Sequence, residues 1–196
     1  KQDQPGIEIS MSGIKYESIP VDPENNTAGK AILSLLDTLE NKQGFKVHIE
    51  KGIPPGSGIG SSSASAAAAV VGVNELLNKP LENSELLVHG MAGEAVASGG
   101  FHADNIAPAL FGGIILIRSY EPLDILNLPV PKSLFSTAVL PDFIVNTLDA
   151  RRMLPKRVPL KSAVEQAGNL AGFTLGLHES DFDLLGRSMV DLFAEP

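Results

Sequence analysis

Apolar residues at Ile32, Leu35, Leu36 and Leu39 recur every three or four positions, which places them on one face of a helix over 28–39. Asn25, Asn26 and Thr27 stand just ahead of it and bring the side chains that turn a chain and accept from a helix's first free N–H groups. After Gly44 the period falls to two. Phe45, Val47 and Ile49 alternate with Lys46, His48 and Glu50, the pattern of a strand with one buried face. Small residues then fill 61–77, expected to be helical up to the stop at Asn78, Lys79 and Pro80, and a further helix is expected from 84 to about 98, before Gly99 and Gly100.

The flanks carry weaker patterns. Residues 1–16 read as extended chain without a partner strand nearby, as from the middle of a sheet. Phe111 followed by 114–117 reads as a strand around the Gly112–Gly113 break, and the proline-rich stretch 121–131 as a connector or sheet edge. The pattern restarts with strands expected near 138–140 and 143–147 and a helix over about 160–177. A division into an N-terminal part, 1–130, and the start of a second part, 131–196, follows from that restart.

Composition narrows the classes. With 196 residues, 43% hydrophobic and 19% charged, the chain has the make-up of a globular protein with room for one sizeable core or two small ones. No apolar run reaches the ~20 residues needed to cross a bilayer, and no leader-like opening is seen, so a cytoplasmic home is expected. The absence of cysteine removes disulfides, thiolate metal sites and thiol nucleophiles. A net charge of -8 disfavours a nucleic-acid partner, which needs clustered Lys and Arg. An anionic ligand must therefore be held by local geometry.

The segment Ile53-Pro54-Pro55-Gly56-Ser57-Gly58-Ile59-Gly60-Ser61-Ser62-Ser63-Ala64 offers that geometry. Alternate glycines let the backbone bend and approach a ligand closely, and the N–H groups opening the next helix form an anion site suited to phosphate. It is not a Walker A loop, since Gly-Lys-Ser/Thr is missing, nor a dinucleotide fingerprint. A glycine-rich turn that merely starts a close-packed, alanine-rich helix is the plainer alternative.

Residues 54–64 match the pattern P-x-x-x-G-L-G-S-S-A-A, with Ile59 for leucine and Ser63 for the first alanine, and in this the chain resembles the GHMP kinases. Within that superfamily it is most similar to the homoserine kinases, through Asn26-Thr27-Ala28-Gly29-Lys30-Ala31, Ser98-Gly99-Gly100-Phe101-His102-Ala103-Asp104-Asn105, Thr147-Leu148-Asp149-Ala150-Arg151 and Gln166-Ala167-Gly168-Asn169-Leu170. The resemblance implies an α+β, two-domain GHMP kinase fold: an N-terminal domain like domain 2 of ribosomal protein S5 and a ferredoxin-like C-terminal domain, both incomplete here. The family's opening Asn-x-Gly-Pro-Gly-Phe-Asp segment and its glycine-rich third motif have no match in this sequence, and the chain is expected to be a fragment.

By the same resemblance the expected activity is ATP-dependent phosphorylation of L-homoserine, with another GHMP small-molecule kinase of the mevalonate type, or an inactive nucleotide-binding relative, as alternatives. ATP would lie on residues Pro54, Pro55, Gly56, Ser57, Gly58, Ile59, Gly60, Ser61, Ser62 and Ser63. Glu94, which shares a predicted helix face with Leu87 and Met91, would hold Mg2+ together with Ser61 or Ser62. Asn105 stands where some relatives carry an aspartate base; an amide cannot accept a proton there, which points to catalysis by positioning. His102 would either orient substrate or cap the Gly99–Gly100 turn. Arg151 would clamp the substrate carboxylate through paired hydrogen bonds, with Thr147 beside it. The implied partner is a small molecule, with neither nucleic acid nor membrane, and homodimers are common in the family.

Overall fold

The computed structural model describes residues 4–139 and 153–195, which form two compact units divided between Gly112 and Gly113. In the first, strand β1 (Ile7–Gly13) leads through helix α1 (Thr27–Thr38) to strand β2 (Phe45–Lys51), and the two strands pair in parallel from Ile7 opposite Phe45 to Gly13 opposite Lys51. A helical crossover is what a parallel pair requires. Helices α2 (Ser61–Leu76), α3 (Asn83–Ser98) and α4 (Ile106–Phe111) complete the unit.

Helix α1 starts where its cap residue dictates. Asn26 Oδ1 accepts from the N–H groups of Ala28 and Gly29, while its Nδ2 donates to the carbonyl of Pro20. Ile32, Leu35 and Leu36 are buried as their spacing requires, together with Phe45 from β2, Val70 from α2 and Leu86 and Leu87 from α3. β2 alternates as expected, with Phe45 buried and Lys46, His48 and Glu50 exposed. Its last residue, Lys51, continues the inward parity and is buried too.

Helices α1, α2 and α3 pack against one another and come close together at Gly93. A Cβ there would run into the Thr27 carbonyl oxygen and lie 2.8 Å from the Ala31 Cβ and 3.2 Å from the Ala66 Cβ. Alanine on the neighbours and glycine on α3 are what allow three backbones to meet at one point. This explains the small residues of 61–77: they are a packing surface as well as a helix start.

The second unit contains an antiparallel hairpin of β3 (Ile114–Tyr120) and β4 (Leu123–Leu128), then helices α5 (Leu160–Glu179) and α6 (Phe182–Ser188), which bury Leu177 and Leu185. The proline-rich stretch thus contributes a sheet edge. One expectation is corrected: Phe111 belongs to helix α4, not to a strand. Six residues are too few for a helical period to register, and α4 exists because Ile106 and Ala107 bury against α2 and α3. The strands expected near 138–140 and 143–147 fall mainly outside the described residues; Ala138 and Val139 carry no regular structure.

Two expectations follow for stability. Gly93→Ala overpacks the helix junction and should lower unfolding free energy by about 1–3 kcal/mol, read by urea denaturation. His89 is buried on α3 with Nδ1 2.9 Å from Ser34 Oγ, and desolvation holds its pKa below the ordinary 6.5 despite the opposing pull of Glu85. The folded state therefore keeps His89 neutral while the unfolded chain takes up a proton near that pH, so stability falls as pH drops below about 6.5. Urea midpoints at pH 7.5 and 5.5 should differ more in the native sequence than in His89→Gln.

Candidate active site

Residues 52–60 join β2 to α2 without regular structure. Gly56, Gly58 and Gly60 adopt φ of 71°, 77° and 77°, the left-handed region in which a side chain would be strained, so the alternate glycines are needed by the path of the loop itself. Gly60 occupies the N-cap of α2 and has no side chain with which to cap it. The N–H groups of the first turn are thus left for a ligand or solvent. In the same loop Ser57 Oγ is buried and has no hydrogen-bond partner among the described residues. Pro54 and Pro55 are half-buried and Ile59 is 58% exposed.

The three serines that open α2 point to different partners. Ser61 Oγ donates 2.7 Å back to the Ile53 carbonyl and ties the neck of the loop. Ser62 Oγ donates to Glu94 Oε1 at 3.1 Å, and Ser63 Oγ to Glu94 Oε2 at 2.8 Å. Each carboxylate oxygen therefore accepts a hydroxyl from the helix opposite. Glu94 is 8% exposed, between Met91 and Ser98 on the buried side of α3, and its neighbour Gly93 sets how close the two helices come. This buried carboxylate faces hydroxyl groups, with no cation beside it among the described residues.

Asn105 stands at the N-terminus of α4, on the other flank of the loop. A Cβ on Gly60 would lie 3.2 Å from Asn105 Oδ1, so the amide rests over the glycine that ends the loop. His102 lies on the Gly99–Gly100 turn, where a Cβ on Gly100 would come within 2.7 Å of its Nε2. Ser98 Oγ braces that turn, 3.0 Å from both the Glu94 and Gly100 carbonyls. Gly60, Ser62, Ser63, Glu94 and Asn105 are thus brought to one end of α2 from segments up to 45 positions apart. Thr147 and Arg151 lie outside the described residues.

Two contacts go beyond the roles expected from the sequence, and one of them brings in a new residue, Lys51. Ser63, expected only as part of the loop, shares Glu94 with Ser62. Lys51 reaches from the end of β2 to donate 2.8 Å to the Ser61 carbonyl and 2.8 Å to Ser65 Oγ. Its signal was present in the strand's parity, since alternation from Phe45 through Val47 and Ile49 carries Lys51 to the inward face. Beside the loop's neck lies a cavity of about 300 Å³, walled by Val47, Ile49 and Ile53 on one side and by Ala64, Ala68 and Ala69 of α2 on the other.

Residues 26–113 match the model of the GHMP kinases N terminal domain. The chain is 45% identical to the homoserine kinase of Methanococcus vannielii over 197 aligned positions, covering all of this chain and 65% of that protein. Among solved structures it is similar to homoserine kinase from Cytophaga hutchinsonii, with a TM-score of 0.91 and 42% identity over all of this chain and 62% of the other. L. major mevalonate kinase, solved with R-mevalonate, shares the fold at a TM-score of 0.65 and 20% identity, covering 94% of this chain and 60% of its own. The chain thus spans somewhat under two thirds of the length of these relatives.

The contact between Gly60 and Asn105 is testable directly. Gly60→Ala places a side chain at positive φ and crowds the amide, so stability should fall by about 1–2 kcal/mol, and the Asn105 side-chain amide resonance should shift in a 15N spectrum. An unmoved resonance would count against the contact.

Proposed function

We propose that this protein, whose residues 26–113 match the model of the GHMP kinases N terminal domain, is a GHMP kinase that transfers the γ-phosphoryl group of ATP to the side-chain hydroxyl of L-homoserine, giving O-phospho-L-homoserine and ADP. The observation that carries the reading is the uncapped start of α2, where free N–H groups, the orphaned Ser57 hydroxyl and the buried Glu94 carboxylate converge on one loop. The two relatives named homoserine kinase, similar along the whole of this chain, supply the substrate assignment.

In this reading the phosphates lie along residues 54–63 and accept from the first-turn N–H groups, favoured by the positive end of the α2 dipole. The donor set fits Mg2+, a hard cation content with one carboxylate, a hydroxyl, phosphate oxygens and water. Glu94 would hold it with Ser62, while Ser61, whose hydroxyl is engaged by Ile53, would contribute only after releasing that bond. Bound there, the ion offsets negative charge on the phosphates. No cluster of three or more His, Asp or Glu stands among the described residues, so a site built wholly from carboxylates and imidazoles is not the alternative there.

The chemical step forms a bond between the homoserine oxygen and the γ-phosphorus and breaks the bond from that phosphorus to the bridging oxygen of ADP, with the hydroxyl proton released as the bond forms. Asn105 serves as a hydrogen-bond partner that fixes the hydroxyl, because a carboxamide is no base. His102 orients substrate from the adjoining turn, and Thr147 with Arg151 binds the α-carboxylate. Residues 1–130 form the nucleotide-binding part and 131–196 the start of the C-terminal part, although the β3–β4 hairpin belongs to the second compact unit. A cytoplasmic homodimer completes the proposal. No described helix is long and apolar enough to cross a membrane.

Full-length protein should release ADP with homoserine and not with mevalonate in a coupled assay, and Glu94→Gln should lower kcat by about 100-fold or more. Turnover of mevalonate alone would reassign the substrate, and ATP binding without turnover of any alcohol would mark a non-catalytic relative.

A further inference from the structure

A loop of nine residues with three left-handed glycines does not fix its own shape, so something must set where its far end, the start of α2, is held. Lys51 is the last residue of β2, anchored in register with Gly13, and its carbonyl accepts 2.8 Å from Ile14 N. Its side chain crosses the neck of the loop to the first turn of α2, where Nζ donates to the Ser61 carbonyl and to Ser65 Oγ; Ser65 Oγ in turn donates 3.2 Å to the same carbonyl.

Lys51 is 6% exposed, and its ammonium donates to neutral acceptors, the Ser61 carbonyl and Ser65 Oγ; no carboxylate pairs with it among the described residues. A buried cation without a counter-charge stabilises a fold poorly, and an apolar side chain of the same shape would serve at least as well. Burial indeed lowers its pKa from the ordinary lysine value. A role beyond stability is therefore required. The peptide between Ser61 and Ser62 is planar and trans, so a donor that holds the Ser61 carbonyl also fixes the direction of the Ser62 N–H. That N–H is one of the first-turn donors without a partner inside the helix.

We propose that Lys51 is a positioning residue for phosphate binding: it latches the loop's neck and aims the Ser62 N–H, through the Ser61 carbonyl, into the site where the nucleotide's phosphates are held. The proposal rests on the phosphotransfer reading above and adds a residue outside the glycine/serine motif. The latch acts through α2 and not by contact with substrate. It also places a positive charge behind the first turn, in the same sense as the helix dipole.

The test uses the full-length protein and Mg2+-loaded ATP in isothermal titration calorimetry. Lys51→Met should weaken binding about tenfold or more, the scale of a charge-assisted hydrogen bond, with the KM for homoserine unchanged and Tm equal to or above that of the native sequence. Ser65→Ala removes one of the two acceptors and should give a smaller loss of affinity, and the two changes together should be less than additive. Equal ATP affinity in native and Lys51→Met proteins overturns the proposal, as does a loss of affinity that only tracks a fall in Tm. If Lys51→Met does not fold, an unchanged affinity in Ser65→Ala overturns it. A native protein that binds no Mg2+-ATP overturns the phosphotransfer reading itself, a result distinct from all of these.

Discussion

The buried carboxylate of Glu94, facing the hydroxyls of Ser62 and Ser63 across a helix junction that tolerates no Cβ at position 93, is the constraint on which the rest of the site depends. A carboxylate taken out of water needs hydrogen bonds or a cation close by. The helix that carries it therefore has to lie against the one part of the chain that offers a run of small hydroxyl side chains. Gly93, Ala31 and Ala66 allow that approach, and the α1–α2–α3 packing that buries Ile32, Leu35, Val70 and Leu87 holds it in place.

From this junction the loop acquires its shape. Its glycines give the backbone freedom to curl, but freedom alone would leave the N–H groups unaimed. Ties at the neck, from Ser61 to Ile53 and from Lys51 to Ser61 and Ser65, convert a flexible segment into a defined opening at the head of α2. Asn105 then closes one flank by resting over Gly60. A polar group left without a partner at such a point, such as the Ser57 hydroxyl, is destabilising by itself until a ligand or solvent satisfies it.

Much of the first unit is legible in the chain. Asn26 marks the start of α1 because a side-chain oxygen must satisfy the first free N–H groups, and the spacing of Ile32, Leu35 and Leu36 announces the buried face. The alternation through Phe45 marks β2, and the glycine/serine segment marks the loop and the family resemblance. Helix α4 was not legible, since a six-residue helix has no period to read and owes its existence to the surface beneath it. Lys51 was passed over for a related reason. A lysine at a strand end is usually solvated, and only the parity of the preceding residues hinted that this one turns inward.

The sequence by itself determined which elements form and which side chains are available: an α+β chain with a glycine/serine loop ahead of a helix, one glutamate on an apolar helix face and an asparagine beyond the Gly99–Gly100 turn. Those features depend on neighbours a few positions away, through period, capping and glycine's access to positive φ. What only the tertiary structure decided is which groups meet. That Ser63 as well as Ser62 reaches Glu94, that Ser61 turns back to Ile53, and that Lys51 grips the first turn of α2 are consequences of three helices and a strand end converging on one point. Such contacts join residues 8 to 32 positions apart, and no local pattern encodes them, because the geometry is set by how closely the backbones can pack at Gly93.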